Sequence, residues 1–144
     1  MPIKKVPFIV FEDGEDPKPW LPIKIVNPQT GLFVTTLGLI DTGADTCSIP
    51  AYLAKQLGHN LKKGVKKTTG TANGNGTCYA HGTTIEILHA NDHNRCLFRI
   101  KNTPIDFMPK LPVVLLGIEH FLDQFVLKID YPNQLFSIKY PRKR

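Results

Sequence analysis

Long apolar runs are missing from this 144-residue chain, and none approaches the roughly 18 consecutive apolar residues that a bilayer-crossing helix needs. The first residues do not read as a secretory leader, and none is expected: Lys4 and Lys5 are followed only by a short apolar piece, broken by Pro7 and then by acids. Cysteine is scarce. Cys47, Cys78 and Cys96 are odd in number and far apart, which suits a reducing compartment better than a secreted disulfide framework, so a cytoplasmic location is expected. Internal repeats and low-complexity tracts are absent as well. Charged residues make up only 21% of the chain against 42% hydrophobic, which excludes wholesale disorder and coiled coil.

What is present is one domain's worth of chain, since domains run to roughly 100 to 200 residues. At that length folding buries about 68 to 70% of the surface exposed by the unfolded chain, enough for a core without staples. Twelve prolines and 11 glycines cut the sequence into short pieces, so strands joined by turns are expected rather than long helices. The net charge of +6 is gathered at Lys4-Lys5, Lys62-Lys63, Lys66-Lys67 and the tail Arg142-Lys143-Arg144. No aromatic residues interleave with these clusters in a base-stacking pattern. They read as solvated charge, with nucleic acid not expected as a partner.

Residues 1–19 read as an arm, mobile or dimer-forming, with a short strand over 8–11. From Trp20 the pattern is a hairpin: a strand over 21–26, a turn at Asn27-Pro28-Gln29-Thr30-Gly31, and a return strand over 32–40 whose apolar end runs into the core. Pro50 suits the first turn of a short helix over 51–57, stopped by Gly58. A long hairpin is expected over 65–88, with Asn73-Gly74-Asn75-Gly76 at its tip. Another follows over 83–101, turning at 90–94. Then come a proline-punctuated connection, a buried run over 113–117, a short helix over 118–124, and closing strands over 125–129 and 134–140 with a turn at Pro132-Asn133.

One triplet carries chemistry. Asp41-Thr42-Gly43 stands at the end of the apolar strand Gly38-Leu39-Ile40 and is followed by Ala44 and Asp45. A glycine-tipped hairpin comes next, and far down the chain Leu115-Leu116-Gly117 precedes a helical segment. This order resembles the retropepsin-like aspartic proteases, the single-domain family that includes the retroviral enzymes. The resemblance spans residues 20–140 and leaves 141–144 as a basic tail. It implies an all-β closed barrel of the acid-protease fold with one or two short helices, active as a symmetric homodimer. It makes Asp41 the catalytic acid, Thr42 the residue stitching two active-site loops together, and Gly43 the point of close approach. Leu115, Leu116 and Gly117 support the loop from behind. The hairpin becomes a flap, with Ala44, Asp45, Ala72, Asn73, Gly74, Asn75 and Gly76 placed against substrate.

The chemistry calls for two carboxylates that share one proton, because like charges about 3 Å apart cannot both ionise. This sequence has a single D-[ST]-G. Asp106 and Asp130 lack the following threonine and glycine, so the second acid is expected from another copy across a two-fold axis. The implied activity is endopeptidase cleavage of extended polypeptides, with no cofactor and no metal. A catalytically silent peptide-binding or dimerisation module is the alternative.

Three departures from the retroviral pattern stand out. The hairpin tip is polar, and the stretch over 50–67 is longer than in the shortest retroviral members. Ile118 replaces the arginine that pairs with the aspartate at position 45. Other chemistries are weaker. His89, Asp92, His93 and Cys96 have no standard zinc spacing and read as polar loop decoration. Cys47 and Ser48 lack a nucleophile motif, and Asn75-Gly76-Thr77 reads as turn chemistry rather than a glycosylation site.

Overall fold

In the computed structural model, which describes residues 3–71 and 74–141, β1 (Ile3–Pro7) stands apart from the hairpin of β2 (Trp20–Val26) and β3 (Phe33–Ile40). Turn chemistry fixes that hairpin's register. The Asn27 side chain accepts from the Gln29 N–H, the Gly31 N–H donates to the Asn27 carbonyl, and Gly31 takes a φ of +76°, open to glycine at little cost. Ile23 and Ile25 of β2 are fully buried and pair with Ile87 and Ile85 of β6 (Gly74–His89). That pairing closes a six-stranded ring, β2-β3-β8-β4-β7-β6, through β4 (Ser48–Pro50), β7 (Asp92–Met108) and β8 (Val114–Leu116). The expected all-β closed barrel is the fold.

The barrel is filled by Leu21, Ile23, Ile49, Ile85, Phe107 and Leu116, all buried. Fully burying such a side chain contributes about 1.5–3 kcal/mol each. β8 is only three residues long and lies parallel to β3, with Ile40 opposite Leu116. At Gly38 a Cβ would come within 2.9 Å of the Leu116 side chain, so glycine lets β3 approach β8. β5 (Val65–Thr71) lies outside the ring, paired to β6.

Several elements differ from expectation. The N-terminal strand is Ile3–Pro7, paired with β10 (Leu135–Lys139), whereas 8–11 contributes one bridge, Ile9 to Lys18. Phe8 and Phe11 pack through their rings instead: Phe8 meets Phe136 and Tyr131, and Phe11 stacks on Trp20 at 4.6 Å. Pro50 ends β4, and α1 is only Leu53–Gln56. The proline-rich connection is strand, since β7 runs through Pro104 to Met108. Pro104 faces Gly82 of β6, and β4 pairing starts only at Asp106, so its missing N–H is tolerated. The expected helix over 118–124 reduces to a 3-10 turn, Leu122–Gln124.

The hairpin tip shifts. Thr71 pairs with Gly74, and Gly70 and Thr69 pair with Asn75 and Gly76, so those three residues are strand and the Asn75-Gly76-Thr77 triplet is not a turn. Ala72 and Asn73 lie outside the described residues, as does the tail over 142–144. The turn after β6 is tighter than expected, β7 starting at Asp92. β9 (Val126–Asp130) completes a second sheet, β1-β10-β9, in which β10 is central. The carboxylate of Asp130 accepts from the backbone and side chain of Asn133, which closes the expected turn and lowers the acid's pKa. Among the described residues no helix is long and apolar enough to cross a membrane.

Candidate active site

Asp41 is the first residue past β3, half-buried where the strand leaves the barrel. Its backbone N–H donates to the Leu116 carbonyl at 3.1 Å, so the end of β8 fixes where the acid begins. Its carboxylate Oδ1 accepts the Gly43 N–H at 3.0 Å, and its carbonyl accepts the Ala44 N–H at 3.2 Å. The aspartate thus sits at the mouth of a tight turn, oriented by its own loop. Thr42, Gly43 and Asp45 are exposed, and Ala44 is half-buried.

Behind the loop the chain crosses itself closely. The Ile118 N–H donates to the Ala44 carbonyl and the Glu119 N–H to the Asp45 carbonyl, while Thr46 bridges Glu119 in parallel. A Cβ on Gly117 would collide with the Thr46 carbonyl oxygen and lie 2.8 Å from that of Ala44. Only glycine fits. Leu115 and Leu116 belong to β8, and Leu116 is fully buried against β3. The structure therefore gathers Asp41, Thr42, Gly43, Ala44, Asp45, Leu115, Leu116 and Gly117 into one hydrogen-bonded unit. Gly74, Asn75 and Gly76 lie apart, on β6.

A model of the aspartyl protease family matches residues 30–120, which contain this whole unit. The chain belongs to the aspartyl protease family. A retropepsin-like aspartic protease from Rickettsia conorii has a similar structure, with TM-score 0.63 and 23% identity over 94% of this chain and 98% of that one. An EIAV protease complexed with the inhibitor HBY-793 aligns with TM-score 0.41 and 23% identity, over 79% of this chain and 93% of that one. A comparison with curated proteins gives no match.

In this aspartyl protease family chain the rival nucleophiles are packing groups. Cys47 is buried, and burial first, with the nearby Asp123 charge adding to it, pushes its thiol up to about 11 although the Gly117 backbone opposes the shift. A thiol held there is not a thiolate at neutral pH. Ser48 is buried within β4. The polar loop residues are occupied by turn bonds: the Asn91 N–H donates to His89 Nδ1 and the Asn94 N–H to Asp92 Oδ1. Among the described residues no three His, Cys, Asp or Glu side chains group as metal ligands.

One buried ion pair was not anticipated from sequence. Asp106, weighed only as a second acid, is 5% exposed on β7. It accepts from Lys67 Nζ at 2.9 and 3.2 Å and from the Thr46 hydroxyl at 3.3 Å. Hydrogen bonding to Asp106 raises the pKa of Lys67. No local motif marks the pair, because its partners are 39 positions apart.

Proposed function

We propose that this chain is an aspartic endopeptidase in which two copies each contribute Asp41 to one dyad. The observation that carries the reading is the Asp41 carboxylate, oriented by the Gly43 N–H at the end of β3 on a loop whose Thr42 and Gly43 face outward. The other acids raised by sequence are committed elsewhere. Asp106 is paired with Lys67, and Asp130 closes the 130–133 turn. A two-fold related copy supplies the missing partner.

In the dyad one Asp41 is ionised and its twin is protonated. The ionised carboxylate takes a proton from a water held between them. The hydroxide formed attacks the scissile carbonyl carbon, and the protonated twin gives its hydrogen to the carbonyl oxygen. On collapse of the tetrahedral diol the first Asp41, now protonated, gives its proton to the amide nitrogen as the C–N bond breaks, and one diol hydroxyl gives its proton to the ionised twin, which leaves a carboxylic acid, an amine and a dyad with one proton again. Thr42 of each copy stitches the two loops together. The β5–β6 hairpin closes as a flap over an extended polypeptide, and closure excludes bulk water. Ala44, Asp45 and the hairpin residues from Ala72 to Gly76 contact substrate.

We assign the catalytic domain to 20–140, the arm to 1–19 and the basic tail to 141–144. β10 is flanked on both sides, so β1 and β9 are the edges of the terminal sheet that a second copy meets. Free thiols at Cys47, Cys78 and Cys96 support a reducing, cytoplasmic setting.

The decisive variant is Asp41→Asn, assayed on a peptide library with sedimentation in parallel. Cleavage is expected to fall about 10²–10⁴-fold with the dimer unchanged. Undiminished cleavage by Asp41→Asn overturns the mechanism. A dimeric wild type that cleaves nothing between about pH 3.5 and 7 establishes the silent peptide-binding module instead.

A further inference from the structure

Among the described residues only two charged side chains are buried, Glu86 and Asp106. Glu86 is answered from the directly opposite position, where Arg99 Nε donates at 3.0 Å across the β6–β7 ladder. Asp106 is answered from farther away. Its partner Lys67 lies on β5, which is joined to the barrel only through β6. Lys67 stands opposite Cys78, and Asp106 stands opposite Ala80, two residues along the same face of β6. The lysine therefore reaches diagonally over β6 to a strand that its own strand does not pair with.

That rung has a special place. Tipward of it β5 and β6 continue to pair with each other, Thr68 with Thr77 through Thr71 with Gly74. Pairing of β6 with β7 starts only at Tyr79. The hairpin thus leaves the barrel immediately beyond Lys67 and Cys78, and its projecting part is glycine-rich, with Gly70, Gly74 and Gly76. The third member of the network faces the other way. Thr46 donates its hydroxyl to Asp106, and its carbonyl is the oxygen packed against Gly117 behind the Asp41 loop. One buried carboxylate thus ties the root of the hairpin to the loop that bears the acid.

We propose that Lys67, acting through Asp106, is a positioning residue for peptide hydrolysis: their ion pair is the pivot from which the projecting β5–β6 hairpin is aimed at the Asp41 loop. The inference rests on the aspartic endopeptidase reading above. A carboxylate removed from water demands a partner, so the ammonium is held in one place and the β5 backbone with it. Without the pair, β5 is fastened to β6 alone and the hairpin swings about its glycines.

The test uses the full chain carrying Lys67→Met together with Asp106→Leu, which leaves no unpaired buried charge and so keeps the fold. Lys67→Arg is the conservative control. Steady-state kinetics on a peptide substrate are expected to show kcat/KM lowered about ten- to a hundredfold, chiefly through KM, with Lys67→Arg close to wild type. Hydrogen exchange is read on the same proteins. Amides of 68–71 and 74–77 are expected to exchange about tenfold faster in the double variant, with those of β2 and β3 unchanged. Where wild type cleaves, an unaltered KM in the folded double variant overturns the proposal whatever the exchange rates. Where wild type cleaves nothing, it is the endopeptidase reading that fails. Hydrogen exchange then decides the pivot alone, and wild-type rates over 68–71 and 74–77 overturn it.

Discussion

Gly117 shows how strictly single atoms are rationed around the candidate dyad. A methyl there meets backbone oxygens of Thr46 and Ala44, and backbone cannot rotate away as a side chain can. Gly117→Ala must therefore push the Asp41 loop and β8 apart, and we expect a loss of about 1–3 kcal/mol, read as a lower urea midpoint with unchanged slope. Gly38→Ala is the informative contrast, since its methyl meets the flexible ends of Leu116 and Ile23 and should cost less. An equal cost at both positions contradicts the argument. Residues of this kind were legible in the sequence because each stands inside a contiguous signature: Asp41-Thr42-Gly43 after an apolar strand, and Leu115-Leu116-Gly117. Asp106 was not. Its meaning depends on a lysine two strands away, and nothing in Ile105-Asp106-Phe107 records which strand lies beside β6.

At the scale of elements, the segment between α1 and β5 is fastened by an imidazole pair. His59 and His81 face each other with centroids 4.5 Å apart, and Phe107 meets both rings edge-on at 5.3 Å. His81 Nε2–H donates to the Leu61 carbonyl at 2.9 Å, while His59 Nδ1 accepts from the Asn27 amide at 3.4 Å. Burial first, then the neighbouring His81, lowers the His59 pKa below its ordinary 6.5. The unfolded chain consequently takes up a proton near pH 6.5 that the folded chain refuses. Stability is full above that pH and declines as pH falls through it, until the folded imidazole titrates as well. Urea midpoints measured from pH 7.5 down to pH 5 should show this decline, and His59→Gln should remove its share; a variant that keeps the wild-type slope rules the pair out. Elements with strong local punctuation were readable: the 27–31 turn and the hairpins on either side of β6. The strand expected over 8–11 was misplaced because its aromatics serve ring packing, whereas the true strand, Ile3–Pro7, carries two lysines and looks polar. The helix over 118–124 failed because the backbone leaves helical geometry midway, His120 taking a φ of +66° and Phe121 a φ of −133°.

For the whole molecule the question is whether one chain suffices. If activity requires Asp41 from two copies, an inactive partner poisons an active one. Mixing wild type with an equal amount of Asp41→Asn and allowing exchange should lower activity to about half, because half of the wild-type chains then sit in dead heterodimers. Activity that ignores the added variant contradicts the two-copy dyad. Short strands could be foreseen from frequent turns and the barrel from the family resemblance, but not the order of the terminal sheet, which joins strands far apart in the sequence. The Lys5 backbone N–H donates to the Ser137 hydroxyl across 132 positions, and Ile3 lies opposite Ile138. A ribosome delivers β1 well before β9 and β10, with every strand of the barrel in between. The terminal sheet therefore cannot zip up until the whole barrel sequence has emerged, and β1 waits without its neighbour while the barrel is being made.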